Sequence, residues 1–169
     1  ESASLSAARR PQARSSYHEG GVSMRRLLFI MLLNGALGMT VNTVRAENVS
    51  IRVTQIDAAR GGSILVMIFG PTGYPTKHDA ALAIKSRPAS NEVLEFDFEI
   101  ERNEVAVKVL HDADGNNRVT KNWTGFIPAE GLGFSNGQRL GITGPPSYKA
   151  SKLSRPDYLS GIEIMIAYP

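Results

Sequence analysis

The amino-acid sequence predicts an all-β fold: a single antiparallel β-sandwich carrying a long, ordered Gly/Pro-rich loop segment. Three observations predict it. Leu94, Phe96, Phe98 and Ile100 alternate with Glu95, Asp97, Glu99 and Glu101, the period of a strand with one dry face and one wet face. Residues 64–69 form an unbroken apolar run, Ile-Leu-Val-Met-Ile-Phe, as expected of a central strand covered on both sides. Between such stretches the chain is rich in Gly, Pro, Asn and Asp and poor in helical periodicity, the pattern of short strands joined by turns.

The first 46 residues stand outside that domain. Residues 1–23 are Ser, Ala, Arg and Gly rich with almost no large apolar side chain, and read as disordered or as an upstream artefact. Met24 then opens a three-part leader: Arg25 and Arg26, an apolar run over residues 27–33, and Val44-Arg45-Ala46. The small residues at the last and third-last positions suit signal-peptidase cleavage after Ala46. The run is too short for a membrane span, which needs about 20 apolar residues. The expectation is a signal peptide over 24–46 and a β-sandwich domain over 47–169. The protein is then exported, to a periplasm or the medium, with no membrane span in the mature chain.

Within the domain, Val49, Ile51 and Val53 alternate with polar residues, and predict a first strand. With the 64–69 run it resembles a hairpin, turned at Ala59-Arg60-Gly61-Gly62. Residues 80–85 favour a short helix, stopped by Pro88. After the 94–100 strand, Arg102-Asn103-Glu104 predicts a tight turn, and Val105, Val107 and Val109 the next strand, running directly into His111-Asp112. The long segment that follows keeps Trp123, Phe126, Ile127 and Phe134 among its Gly, Pro, Ser and Asn. That is too apolar for disorder and implies a loop folded back onto the scaffold. Ile162, Ile164, Ile166 and Tyr168 alternate as a last strand.

Charge and cysteine narrow the function. Of 19 basic and 16 acidic residues, six Arg and two Glu precede Glu47, so the mature domain carries 13 basic against 14 acidic and is near neutral. No basic stripe points to nucleic acid. The absence of cysteine excludes disulfides and thiol chemistry. The partner expected is an envelope or extracellular ligand.

The candidate site is an oxygen-rich loop. Calcium takes six to eight oxygens, and calcium loops place side-chain oxygens at positions 1, 3 and 5 and a backbone carbonyl at 7. Those positions fall on Asp112, Asp114, Asn116 and Arg118, with Thr120 at position 9 and Val119 as the apolar anchor. Position 12 is Trp123 rather than a bidentate Glu, so a distal carboxylate is required; Glu130 is best placed and Asp157 second. Trp123 is expected to help Val119 anchor the loop's exit in the core. The competing interpretation is an Asx-rich turn, whose side chains bond their own backbone.

Catalytic patterns are weak. A small hydrolase using His111 with Asp112 or Glu130 is the alternative function, but neighbours on a strand point to opposite faces. A histidine that closes the strand by bonding a loop carbonyl is expected instead. Ser135 lies in Gly-Phe-Ser-Asn-Gly without the strand–turn–helix setting of a nucleophile elbow. Phosphate-loop and dinucleotide fingerprints are absent.

Taken together, His111-Asp112-x-Asp114-x-Asn116, Gly125-Phe-Ile-Pro-Ala-Glu-Gly-Leu-Gly-Phe-Ser-Asn136 and Gly144-Pro-Pro-Ser-Tyr148 are similar to the exported bacterial domains of domain-of-unknown-function family 2141. The resemblance runs from Val49 to Tyr168. It implies a small signal-bearing β-sandwich, similar to transthyretin-like or carboxypeptidase-regulatory domains, and no activity comes with it. Asn117 stands where the family commonly has Gly, and Thr120 where it commonly has Asp, which weakens the ion site. The Tyr-Arg-Gly-Ser tail of the transthyretin-like hydrolases is missing. The function expected is a non-catalytic binding or structural module with a calcium-stabilised loop.

Overall fold

The first strand, β1 (Glu47–Thr54), buries Val49, Ile51 and Val53 and leaves the residues between them in or near solvent. The structure, a computed structural model, describes residues 45–123, 125 and 127–169. Apart from Arg45 and Ala46, the 1–23 segment and the 24–46 leader lie outside the described residues, as does Phe126.

The strands form two sheets. In the first, β1 lies between β4 (Leu94–Ile100) and β8 (Ile162–Met165). In the second, β2 (Ser63–Phe69) lies between β3 (Ala83–Pro88) and β5 (Glu104–Asp112). The far edge of β5 is shared by β6 (Gly131–Phe134) and the two-residue β7 (Leu153–Ser154), each antiparallel to it. The all-β expectation holds, with one departure: β1 and β8 are parallel, Ile51 against Ile162 and Val53 against Ile164.

Two local expectations are corrected. β1 and β2 do not form a hairpin but lie in different sheets. Their link is too long for a tight turn. It buries Ile56, makes a 3-10 turn at Ala58–Arg60, and crosses between the sheets. Gly62 ends that crossing hard against β5: a Cβ there would come within 2.2 Å of the Asp112 carbonyl oxygen. Residues 80–85 are not helical. A 3-10 turn at His78–Ala80 leads into β3, which pairs along β2. The weak helix preference of six residues loses to the open edge of β2, whose backbone groups need partners. Pro88 ends this edge strand, where its missing N–H costs no interior ladder bond.

The core follows from strand parity. Val49, Ile51, Val53, Phe96, Phe98, Ile162, Ile164 and Ile166 meet Ile64, Val66, Ile68, Val105, Val107 and Val109 between the sheets. Tyr158, on the helical turn α2 (Arg155–Leu159) that follows the single turn α1 (Tyr148–Ser151), is also buried there. The alternate residues of the second sheet face outward yet are equally dry. Leu65, Met67, Phe69, Leu110, Leu132 and Phe134 cluster there, with Tyr74, Ala81 and Val119 packed on them from loops. Thus β2 is buried on both faces, as its unbroken apolar run predicts. In β6 the inward positions are Gly131 and Gly133, where a Cβ would strike Ile166 and Ile164. Their bareness lets the chain after β8 cross β6, with Leu132 and Ala167 paired.

Candidate functional site

Three buried polar residues, Lys108, His111 and Asp112, lie on β5. Its inward residues are Val105, Val107, Val109 and His111; its outward residues are Ala106, Lys108, Leu110 and Asp112. His111 is fully buried. Its Nε2 donates to the Gly61 carbonyl (2.7 Å), and its Nδ1 accepts from the Tyr168 hydroxyl (2.7 Å), which itself accepts the Asp57 amide (2.8 Å). This is the strand-closing histidine bonded to a loop carbonyl. It faces away from Asp112 and the loop that Asp112 begins. Ser135 is engaged elsewhere, accepting the Val107 amide and donating to the Ser151 carbonyl. The hydrolase constellation of His111 with Asp112 or Glu130 is therefore not assembled.

The acidic loop begins where β5 ends. Asp112, Asp114 and Glu130 each turn a carboxylate oxygen to a common point, all within 4.8 Å of one another. Asp112 and Glu130 are buried, whereas Asp114 is exposed. Glu130 straddles the loop, accepting the Ala113 amide (3.1 Å) and the Thr120 amide (2.8 Å). Asp112 accepts the amides of Asn116 (3.1 Å) and Asn117 (2.8 Å). Asp114 accepts the Thr120 hydroxyl (2.6 Å) and the Asn116 side-chain amide (2.9 Å). Arg118 enters through its own amide, which donates to Asn116 Oδ1 (2.6 Å). Asn117 has a positive φ, 60°, a backbone conformation that Asn tolerates better than most residues.

The three charges are unevenly compensated. Burial pushes the Glu130 carboxyl above its ordinary range, and the charges of Asp114 and Asp112 push the same way, against the two amides. The Thr120 hydroxyl bond holds Asp114 below its ordinary range. Two oxygens on opposite sides of a calcium ion lie at most about 5 Å apart, twice a 2.3–2.6 Å bond. The carboxylate spacing fits that limit. Asp157, the second distal candidate, instead caps α2 by accepting the Ser154 amide and hydroxyl. Trp123 does not anchor the loop in the core: it is 96% exposed, and Ile127 is half exposed. Val119 alone of the expected anchors packs on the outward cluster.

Beside the loop lies a cleft of about 1250 Å³ that sequence reasoning missed. It is lined by Leu132, Phe134 and Lys108 together with residues 117–119 of the acidic loop. Lys108 pairs with Met67 on one side and Phe134 on the other, and is 3% exposed. Its ammonium donates to the Pro75 carbonyl (3.0 Å) and to His78 Nε2 (2.7 Å). The other His78 nitrogen, Nδ1, donates to the Asn117 carbonyl (3.0 Å), so His78 bridges the buried lysine and the acidic loop. Burial pulls Lys108 from 10.5 down to about 8, with the Glu130 charge opposing. Burial, then the Lys108 charge, lower His78 from its ordinary value, and the Asn117 bond opposes them. The available signal was a lone lysine inside Val-Ala-Val-Lys-Val-Leu, in a strand dry on both faces.

The fold and site thus define a small two-sheet β protein with an acidic loop and an adjoining cleft on one face. The chain belongs to the bacterial family described as "Uncharacterized protein conserved in bacteria (DUF2141)", whose model matches residues 51–158. The matched stretch includes Lys108, the acidic loop and Glu130. No curated protein and no solved structure matches the chain.

Proposed function

We propose that the protein is an exported, non-catalytic binding module whose 112–120 loop is stabilised by calcium, and whose binding surface is the cleft beside that loop. The observation that carries the reading is the convergence of Asp112, Asp114 and Glu130 within 4.8 Å. Three carboxylates that close repel one another unless a cation bridges them. Thr120 supplies a neutral oxygen beside Asp114. Asn116, whose Nδ2 donates to Asp114 and whose Oδ1 accepts the Arg118 amide, is the proposed second neutral ligand through that Oδ1, and the Arg118 carbonyl is the proposed backbone ligand. Calcium exchanges the repulsion for attraction and fixes the loop that walls the cleft. The leader pattern of residues 24–46 supports export.

The test is a thermal melt with millimolar calcium and with a chelator. Calcium at a hundred times its dissociation constant stabilises the native state by about 2.7 kcal/mol. For a domain of this size that is roughly a 10 °C rise in Tm. Asp112→Asn combined with Asp114→Asn removes the response. Identical melts of the unmutated protein in the two conditions leave the loop as an Asx turn and refute the ion site. Export is tested by intact mass: the native protein begins at Glu47, and a species retaining residues 24–46 contradicts it.

A further inference from the structure

We infer that the cleft binds a monocarboxylate with an apolar body, its carboxylate taken by the Lys108 ammonium and its hydrocarbon lying over Leu132 and Phe134. This rests on reading the chain as a binding module and adds the ligand class. The first ground is the state of Lys108. An ammonium has three N–H donors, and among the described residues those of Lys108 meet two acceptors, the Pro75 carbonyl and His78 Nε2. Both acceptors are neutral, and no described carboxylate lies within ion-pair distance of it. Glu130 acts on Lys108 from beyond ion-pair distance; a buried charge without a contacting counter-charge is costly, and a ligand carboxylate supplies one.

The second ground is the lining. Lys77, Arg118 and Lys121 join Lys108 around the cleft, against the single carboxylate of Asp79. The third is the apolar rim: Ile127, Leu140 and Ile142 line the same cleft and are 50%, 41% and fully exposed. That is apolar surface left in water which a hydrocarbon chain would cover. The volume exceeds the roughly 300–1,000 Å³ of ordinary small-molecule sites, enough for an extended acyl chain. Lys108 lines the cleft yet is 3% exposed, so a slender chain suits it better than a broad protein surface. One ammonium beside a neutral imidazole matches a single negative charge better than a phosphate dianion.

The probe is dodecanoate, titrated calorimetrically at pH 7 into the unmutated protein and into Lys108→Met, with dodecan-1-ol and acetate as comparison ligands. Dodecanoate binds; dodecan-1-ol is weaker by about tenfold or more, the worth of a charge-assisted contact, and acetate is weaker by at least as much because it buries almost no hydrocarbon. Lys108→Met weakens dodecanoate by a similar factor and leaves dodecan-1-ol unchanged. Equal affinity for dodecanoate and dodecan-1-ol, full dodecanoate affinity in Lys108→Met, or no binding at all overturns the inference. Should Lys108→Met not fold, the Lys108 side-chain NMR signals of the unmutated protein decide: they shift with dodecanoate and not with dodecan-1-ol, and signals that stay put overturn it. A protein whose melt responds to calcium but which ignores dodecanoate overturns this inference alone. One that binds dodecanoate through Lys108 with no calcium response upholds it while refuting the ion site.

Discussion

The two faces of β5 are equally dry and chemically opposite. Inward, Val105, Val107 and Val109 meet a regular sheet of complementary apolar residues, and the one polar group, His111, has both ring nitrogens bonded within the protein. Outward, Lys108 and Asp112 alternate with Ala106 and Leu110, and the cover is made of loops. A sheet can cover a face only with side chains at fixed spacing, which favours apolar packing. Loops bring backbone carbonyls and amides at many angles, so a buried ammonium and a buried carboxylate can both be hydrogen-bonded there. Burial alone therefore does not distinguish the two faces; the kind of cover does.

The comparison can be broken first at the inward face. Phe96→Ala should cost roughly 3–5 kcal/mol, read as a fall in the denaturation midpoint. A loss below about 1 kcal/mol would mean that the inter-sheet packing is not the main source of stability. On the outward face, Asp112→Asn with Asp114→Asn should lose the calcium-dependent gain of about 2.7 kcal/mol. In chelator the same variant should melt close to the unmutated protein or slightly above it, because like charges have been removed.

Lys108→Met gives a smaller effect with a pH signature. Lys108 titrates near 8 in the folded chain against 10.5 ordinarily. Between those values the unfolded chain binds more protons, so native stability rises with pH across the window, and the benefit is absent below about pH 8. The unmutated protein should therefore gain on Lys108→Met as pH climbs from 8 to 10, by chemical denaturation. His78 is lowered from its ordinary value, away from that range, and Lys77, Lys121, Arg118 and Asp79 also lie on the cleft's lining. Parallel stability curves for the two proteins would show that Lys108 is not desolvated. The smallest effect is Trp123→Ala, within about 0.5 kcal/mol, as for exposed positions free of special roles.

How much of this was legible in the sequence follows from the same contrast. Period-two alternation identified the dry faces of β1, β4 and β8, and the unbroken 64–69 run identified β2 as covered twice, because those patterns are set by each strand's own surroundings. Partners were less legible. The β1–β2 hairpin and the helix at residues 80–85 failed because pairing depends on which edge is open, and local preference does not encode that. In the site, the Asp112, Asp114 and Asn116 spacing pointed to the loop, and Glu130 joins it because β6 returns antiparallel to β5. Trp123 was misjudged on its apolar character alone. Lys108 went unremarked because the strand around it reads as core; its meaning comes from His78 and the Pro75 carbonyl, 30 and 33 residues away.

The central claim is that the outward face of β5 responds to ligands while the inward face is scaffold. Its most direct test is a calcium titration of the isotopically labelled protein followed by amide NMR. The account predicts saturable shifts at residues 112–120 and Glu130, relayed through Asn117 to His78 and Lys108. Val105, Val107, Val109 and the β1–β4 ladder should stay in place. A spectrum that does not change, or one that changes as much on the inward face as on the outward, would contradict it.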